Sequence, residues 1–217
     1  MFLLLIKSLF TYYVLIAVIK GGSMTKRNIF LSFRPEYFRP ILYNIKKYEY
    51  RKRFCNEPVT AYLYLSSPVK EVIGILELGK PLLIEEQITK YDCNSIIYKR
   101  LEKCLENKEQ FAIPIESLKL YKIPISIEKI KDIEPTFSVP QFYLNIEKFP
   151  NLFSYLNSHE MYDIEYYNEH KNIYEENLGM SCLEMEQTEL FVQKDKLYLE
   201  DEKYSIIKCG YLTRRQK

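Results

Sequence analysis

The chain has 217 residues, 47% of them hydrophobic and 28% charged, which leaves room for a buried core and argues against global disorder. A net charge of +2 excludes a polycation, so any nucleic-acid surface must be local. The five cysteines are scattered with no Cys-x-x-Cys pair, which excludes a disulfide framework or zinc knuckle and makes a reduced, cytoplasmic interior the expectation.

Residues 1–20 are almost wholly apolar, with a length and hydropathy that suit a membrane span. Met24, however, opens MTKRNIFLSF in the manner of an ordinary start, and Lys20-Gly21-Gly22-Ser23 can be encoded by a purine-rich ribosome-binding sequence. Residues 1–23 are therefore expected to be leader, with translation starting at Met24. A membrane anchor is the alternative, and a membrane partner is implied only if residues 1–20 are translated.

A first strand is predicted over Asn28 to Phe33. Arg34-Pro35-Glu36 then opens a short helix, Pro35 at a first-turn position and Glu36 favourable against the helix dipole. Pro40 removes a backbone donor, which predicts a kink or two short turns. Asn44 suits a left-handed helix end.

The stretch from Arg34 to Arg53 gathers Arg34, Arg39, Lys46, Lys47, Arg51, Lys52 and Arg53 around Glu49, with Tyr48 and Tyr50 inside the basic run. Cations interleaved with rings suit phosphate and stacked bases; a strand with one solvated Lys-rich face would have the same composition. In an extended strand Lys47, Glu49, Arg51 and Arg53 share one face and Tyr48, Tyr50 and Lys52 the other. Glu49 then lies between cations and can fix the Arg51 guanidinium, while Lys46 stands at the preceding turn.

Val59 to Leu65 and Val72 to Leu78 read as buried strands, with Gly74 marking a bulge or close backbone approach. Ile84 to Asn107 reads as two helical pieces broken near Tyr91-Asp92, with Ile97, Leu101, Cys104 and Leu105 as a core stripe. Phe111 to Ile115 and Leu118 to Ile123 read as short strands, Ser126 as a cap for a helix over Ile127 to Asp132, and Val139 to Ile146 as a last strand. After Pro150 a short helix over Leu152 to Leu156 precedes an acidic segment, running to Asn177, that fits helix or loop. Beyond Glu189, LFVQ, KLYLE and YSIIKCGYL, separated by charged pairs at Lys194-Asp195 and Asp201-Glu202, predict a β-meander ending in Arg214-Arg215. His159 and His170 lie in the acidic region with no cysteine beside them, so surface positions are expected, and no metal or cofactor.

With these residues in hand, Ile29 to about Ile146 resembles the ASCH family, a branch of the PUA-like β-barrels. The family pattern is a strand, a Lys/Arg-Pro-x-x start to a short helix, then Gly-x-Lys-x-x-Glu/Thr-x-Arg. Here it runs Arg34-Pro35-Glu36-Tyr37, then Asn44-Ile45-Lys46-Lys47-Tyr48-Glu49-Tyr50-Arg51, with Asn in the glycine's place. Tyr62 to Leu78 and Gln110 to Ile115 look like stretches of a bacterial and archaeal subgroup of PUA-like predicted regulators. The fold this implies is α+β: a PUA-like mixed/antiparallel β-barrel with short flanking helices over residues 24–148, followed by an acidic extension over 149–217 carrying a C-terminal helix and the β-meander.

The resemblance implies RNA or a modified nucleotide or nucleoside as partner. Lys46 and Arg51 would be placed for phosphate, Glu49 for a base amino group and Tyr48 for stacking, with Arg34 a contact at the rim. A second implication is catalytic: some ASCH proteins resemble amidohydrolases acting on acylated cytidine, and position carries their pair onto Lys46 and Glu49, although Glu49 stands where those enzymes have Thr. Cationic neighbours would then be expected to lower the Lys46 pKa. A third reading is a regulatory protein that docks partners through its acidic region.

Overall fold

The computed structural model describes residues 26–169 and 174–208. The apolar residues 1–20, Met24, His170 and Arg214-Arg215 lie outside them. Eight strands form one mixed sheet that curls into a half-barrel flanked by helices, an α+β architecture as expected.

The strands are β1 (Arg27–Phe33), β2 (Tyr48–Arg51), β3 (Val59–Leu65), β4 (Glu71–Leu78), β5 (Leu82–Leu83), β6 (Phe111–Ser126), β7 (Tyr143–Asn145) and β8 (Met161–Tyr167). Their order is β2-β6-β4-β3-β1-β7, with β5 and β8 also paired to β6. β1 and β3 are parallel, and the other pairs are antiparallel. Parallel neighbours need a crossover. It is supplied by a 3₁₀ turn (Pro35–Tyr37), helix α1 (Phe38–Leu42) and β2.

Strand alternation sorts side chains into two layers. Ile29, Leu31 and Phe33 of β1 join the core inside the curl with Leu63, Leu76 and Ile113, whereas Phe30 points outward to Tyr62, Ile130 and Leu152. Burial on both faces explains why VTAYLYL shows no polar alternation. The outer layer is covered by α4 (Ile127–Ile133) and α5 (Pro150–Ser158). A third cluster packs Tyr48 and Ala112 under α2 (Ile84–Ile88) and α3 (Ile96–Glu106).

Several local expectations hold. The segment forms two short turns, Pro35–Tyr37 and Phe38–Leu42 with Pro40 inside the second, and the Pro40 carbonyl accepts from the Ile45 and Lys46 amides at 3.0 and 2.9 Å. Asn44 is left-handed at φ 56°. The Ser126 hydroxyl accepts from the Lys129 amide at the start of α4. A Cβ on Gly74 would sit 2.2 Å from the Lys119 carbonyl oxygen, so β4 and β6 could not close on any larger residue.

Three expectations are corrected. The two short strands after Phe111 are one strand, β6, which runs through both prolines because neither missing N–H was needed. Pro114 lies between the β5 and β4 pairings, and Pro124 inside the irregularity between Leu120 and Ile125. The ambiguous acidic segment contains β8, paired along β6. The β-meander is not formed by LFVQ and KLYLE: Glu189–Glu200 is one helix, α7, preceded by α6 (Cys182–Glu186). The Thr188 hydroxyl caps it by accepting from the Phe191 amide, and Phe191, Tyr198 and Leu199 fall on one face against the core. Lys194-Asp195, which reads as turn punctuation, instead docks that helix. Asp195 accepts from Arg39 at 2.9 Å and from the Tyr43 hydroxyl at 2.6 Å.

Candidate functional site

The half-barrel does not close between β1 and β2, and a concavity lies along that seam. A cleft of about 520 Å³ runs between the end of β1, strand β2 and the Val139–Phe142 segment. Arg34, at the end of β1, and Lys52, at the end of β2, are exposed on it, while Phe33, Tyr37, Tyr50 and Phe142 supply apolar wall.

β2 places the motif residues by its two-residue period. Glu49 and Arg51 share the seam face. The Lys46 ammonium donates to Glu49 Oε2 at 2.6 Å, and Arg51 Nε lies 2.8 Å from Glu49 Oε1. This second contact is an ion pair whose N–H direction makes no hydrogen bond, so Arg51 Nε is buried without a hydrogen-bond partner. Arg51 Nη2 donates 3.1 Å across the seam to the Ser32 carbonyl, and its guanidinium carbon lies 4.8 Å from the Phe33 ring centre. Arg51 therefore holds the open edge together while facing the cleft.

Lys46 is 6% exposed, so burial works against its charge. The neighbouring Glu49 carboxylate, the Cys182 sulfur and the Glu49 hydrogen bond outweigh that and raise its pKa, the reverse of the lowering expected from cationic neighbours. The Lys47 pKa, by contrast, is lowered to about 8, because the side chain is half-buried and close to Lys194; among the described residues it donates to the amide oxygens of Asn44 and Asn168, at 2.9 and 2.8 Å.

The residues singled out by sequence separate here. Lys46, Glu49 and Arg51 form one buried ion triad, and Arg34 stands at the exposed rim. Tyr48 is apart from the cleft: it is 1% exposed among the helix-facing residues, and its hydroxyl accepts from the Tyr174 amide at 2.9 Å. The tyrosines that line the cleft are Tyr37 and Tyr50, the latter also packing beside Tyr48 against the helix-facing cluster. Lys52, a member of the basic run but not of the motif, also lines the cleft, and so does Glu109, which no motif in the sequence marks. Glu109 sits in the turn after α3, following left-handed Lys108 at φ 63°, in a run (ENKEQ) that looks like an ordinary solvated turn. The signal for it is register. Arg51 pairs with Phe111, and the Gln110 amide donates to the Arg51 carbonyl, which brings Glu109 beside the seam.

A second cavity of about 230 Å³ adjoins the cleft. It shares Tyr37, Glu49, Tyr50 and Glu109 with it and is closed by α3 and by Gly179–Glu184. The Gly179 amide donates to the Tyr50 hydroxyl at 2.6 Å, and Arg100 Nε donates to Glu184 at 3.0 Å, fastening the C-terminal segment over this chamber. Among the described residues, no group of three or more His, Cys, Asp or Glu converges as a metal site. No described helix is long and apolar enough to cross a membrane.

No family model and no curated protein matches the chain. Among solved structures, a serine-to-alanine mutant of the ASCH protein of Zymomonas mobilis is similar at 21% identity and a TM-score of 0.48, over 62% of this chain and 98% of that one. The crystal structure of ASCH from the same organism matches at 18% identity and a TM-score of 0.48, over 62% and 96%. These solved structures to which the chain is similar are ASCH proteins.

Proposed function

We propose that the seam cleft binds single-stranded RNA or a free nucleotide without transforming it. One observation carries this reading: exposed Arg34 and Lys52 stand at the rim of the same cleft whose walls are Phe33, Tyr37, Tyr50 and Phe142. Cations at a rim track phosphates, and ring faces accept unstacked bases. The ASCH-like motif at Lys46, Glu49 and Arg51 supports it from the sequence side.

The catalytic alternative assigns Lys46 and Glu49 as the reacting pair of an amidohydrolase for acylated cytidine. A lysine that acts as base or nucleophile must lose its proton, and Lys46 is buried against a carboxylate that raises its pKa. Binding is the better-supported reading.

Fluorescence anisotropy with a short single-stranded RNA over a salt series tests it. Affinity should fall with salt, and Arg34→Ala and Lys52→Ala should each reduce the log–log slope by about 0.7, the value of one phosphate contact on a single strand. Slopes unchanged in both variants would remove phosphate contact from the cleft. Release of cytidine from an N-acylated cytidine would restore the catalytic reading.

A further inference from the structure

Resting on the binding reading above, we propose that the smaller cavity is a base chamber, in which Glu109 accepts a hydrogen bond from an exocyclic amino group of the bound base. The chamber and the cleft share Tyr37 and Tyr50 as lining, so a chain lying along the rim cations would have to turn only one base past these two rings to reach it. Three carboxyl groups line it, and they are not equivalent. Glu49 is engaged by Lys46 and lies against Arg51. Glu184 accepts from Arg100, from the Ser181 amide and from the Ser181 hydroxyl. Glu109 makes no ion pair among the described residues, and its side-chain neighbour is the Cys104 thiol.

Burial raises the Glu109 pKa and the neighbouring Glu49 charge adds to the rise, outweighing the Cys104 hydrogen bond and the Lys46 and Lys52 charges that act against it. A ligand amino group would add a stronger donor to the weak one that the Cys104 thiol already supplies. Adenine, cytosine and guanine carry one; uracil presents a carbonyl oxygen instead, and two acceptors facing each other in a desolvated site are penalised.

Titration calorimetry of the full chain with cytidine, adenosine, guanosine and uridine 5′-monophosphates tests this. The three amino-bearing nucleotides should bind about tenfold more tightly than the uridine nucleotide, the effect of one buried hydrogen bond to a charged group. Glu109→Ala should remove that preference by weakening the amino-bearing ligands while uridine, relieved of the opposing acceptor, binds at least as well as before, which also shows that the chamber still folds. Glu109→Gln, which can offer a donor, should narrow the preference by improving uridine binding. Equal affinities in the unmodified protein, a preference surviving Glu109→Ala, or parallel loss of all four ligands would each overturn the assignment. If single-stranded RNA binds and none of the four nucleotides does, the chamber fails and the cleft stands. If RNA does not bind either, the function proposed for the cleft fails first.

Discussion

Glu49 is the residue on which the seam depends, because buried Lys46 and partly buried Arg51 converge on its buried carboxylate. A buried ion pair contributes little relative to apolar packing of the same shape, yet removing one partner leaves an uncompensated charge. Glu49→Leu should therefore destabilise the fold by about 3–5 kcal/mol in denaturant unfolding, and adding Lys46→Met should recover much of that loss. A double variant as unstable as the single one would show that the triad is not the unit. Lys47 gives a second test at this scale. Burial first, then Lys194, lowers its pKa to about 8 from an ordinary 10.5. Above pH 8 the unfolded chain holds a proton there that the folded chain has released, so stability should rise with pH between about 8 and 10.5 relative to Lys47→Met. Below that window the difference between the two proteins should be flat. The comparison with Lys47→Met also removes the opposing effect of buried tyrosines such as Tyr48 and Tyr62, whose pKa values, raised to about 12, make them lose stability above pH 10.

At the scale of the element, β4 and β6 approach so closely at Gly74 that even a methyl group would meet backbone. Gly74→Ala should cost on the order of 1–3 kcal/mol or more, since neither strand can yield without disturbing the pairs on either side. A neutral result by thermal unfolding would contradict the register. That glycine was legible in the sequence because one interrupts an otherwise apolar strand. The same local logic identified the Ser126 cap, the Asn44 turn and the break between α2 and α3. It failed for α7, where Lys194 and Asp195 look like a turn between two β-rich runs. Their partners, Tyr43 and Arg39, lie about 150 residues earlier, and only tertiary contact turns that charged pair into a docking point. β6 was split for a related reason: a proline forbids pairing only on the side where its N–H would have been used.

For the whole molecule, the incomplete curl creates the site. A sheet that ends at β2 on one side and β7 on the other leaves a seam, and Arg51 crosses it to the Ser32 carbonyl beside the cleft. The motif residues were legible because Glu49 and Arg51 alternate along β2 and Lys46 stands just before it in sequence. The walls were not. Tyr37, Glu109 and Phe142 come from three separate segments, and the curl alone brings them together. Tyr48 shows the converse, since its place in a basic run suggested stacking while its position on β2 turns it beneath α3. The C-terminal segment belongs to the same construction: Met185 and Phe191 enter the main core while Gly179–Glu184 closes the smaller chamber.

The claim that the seam is the binding surface is tested most directly by photo-crosslinking a thiouridine-bearing single-stranded RNA to the full chain and mapping the adducts by mass spectrometry. The account predicts adducts on peptides carrying Tyr37, Tyr50 or Phe142, suppressed by unlabelled RNA. Adducts confined to α7 or the outer face of α5, or no competed adduct at all, would contradict it.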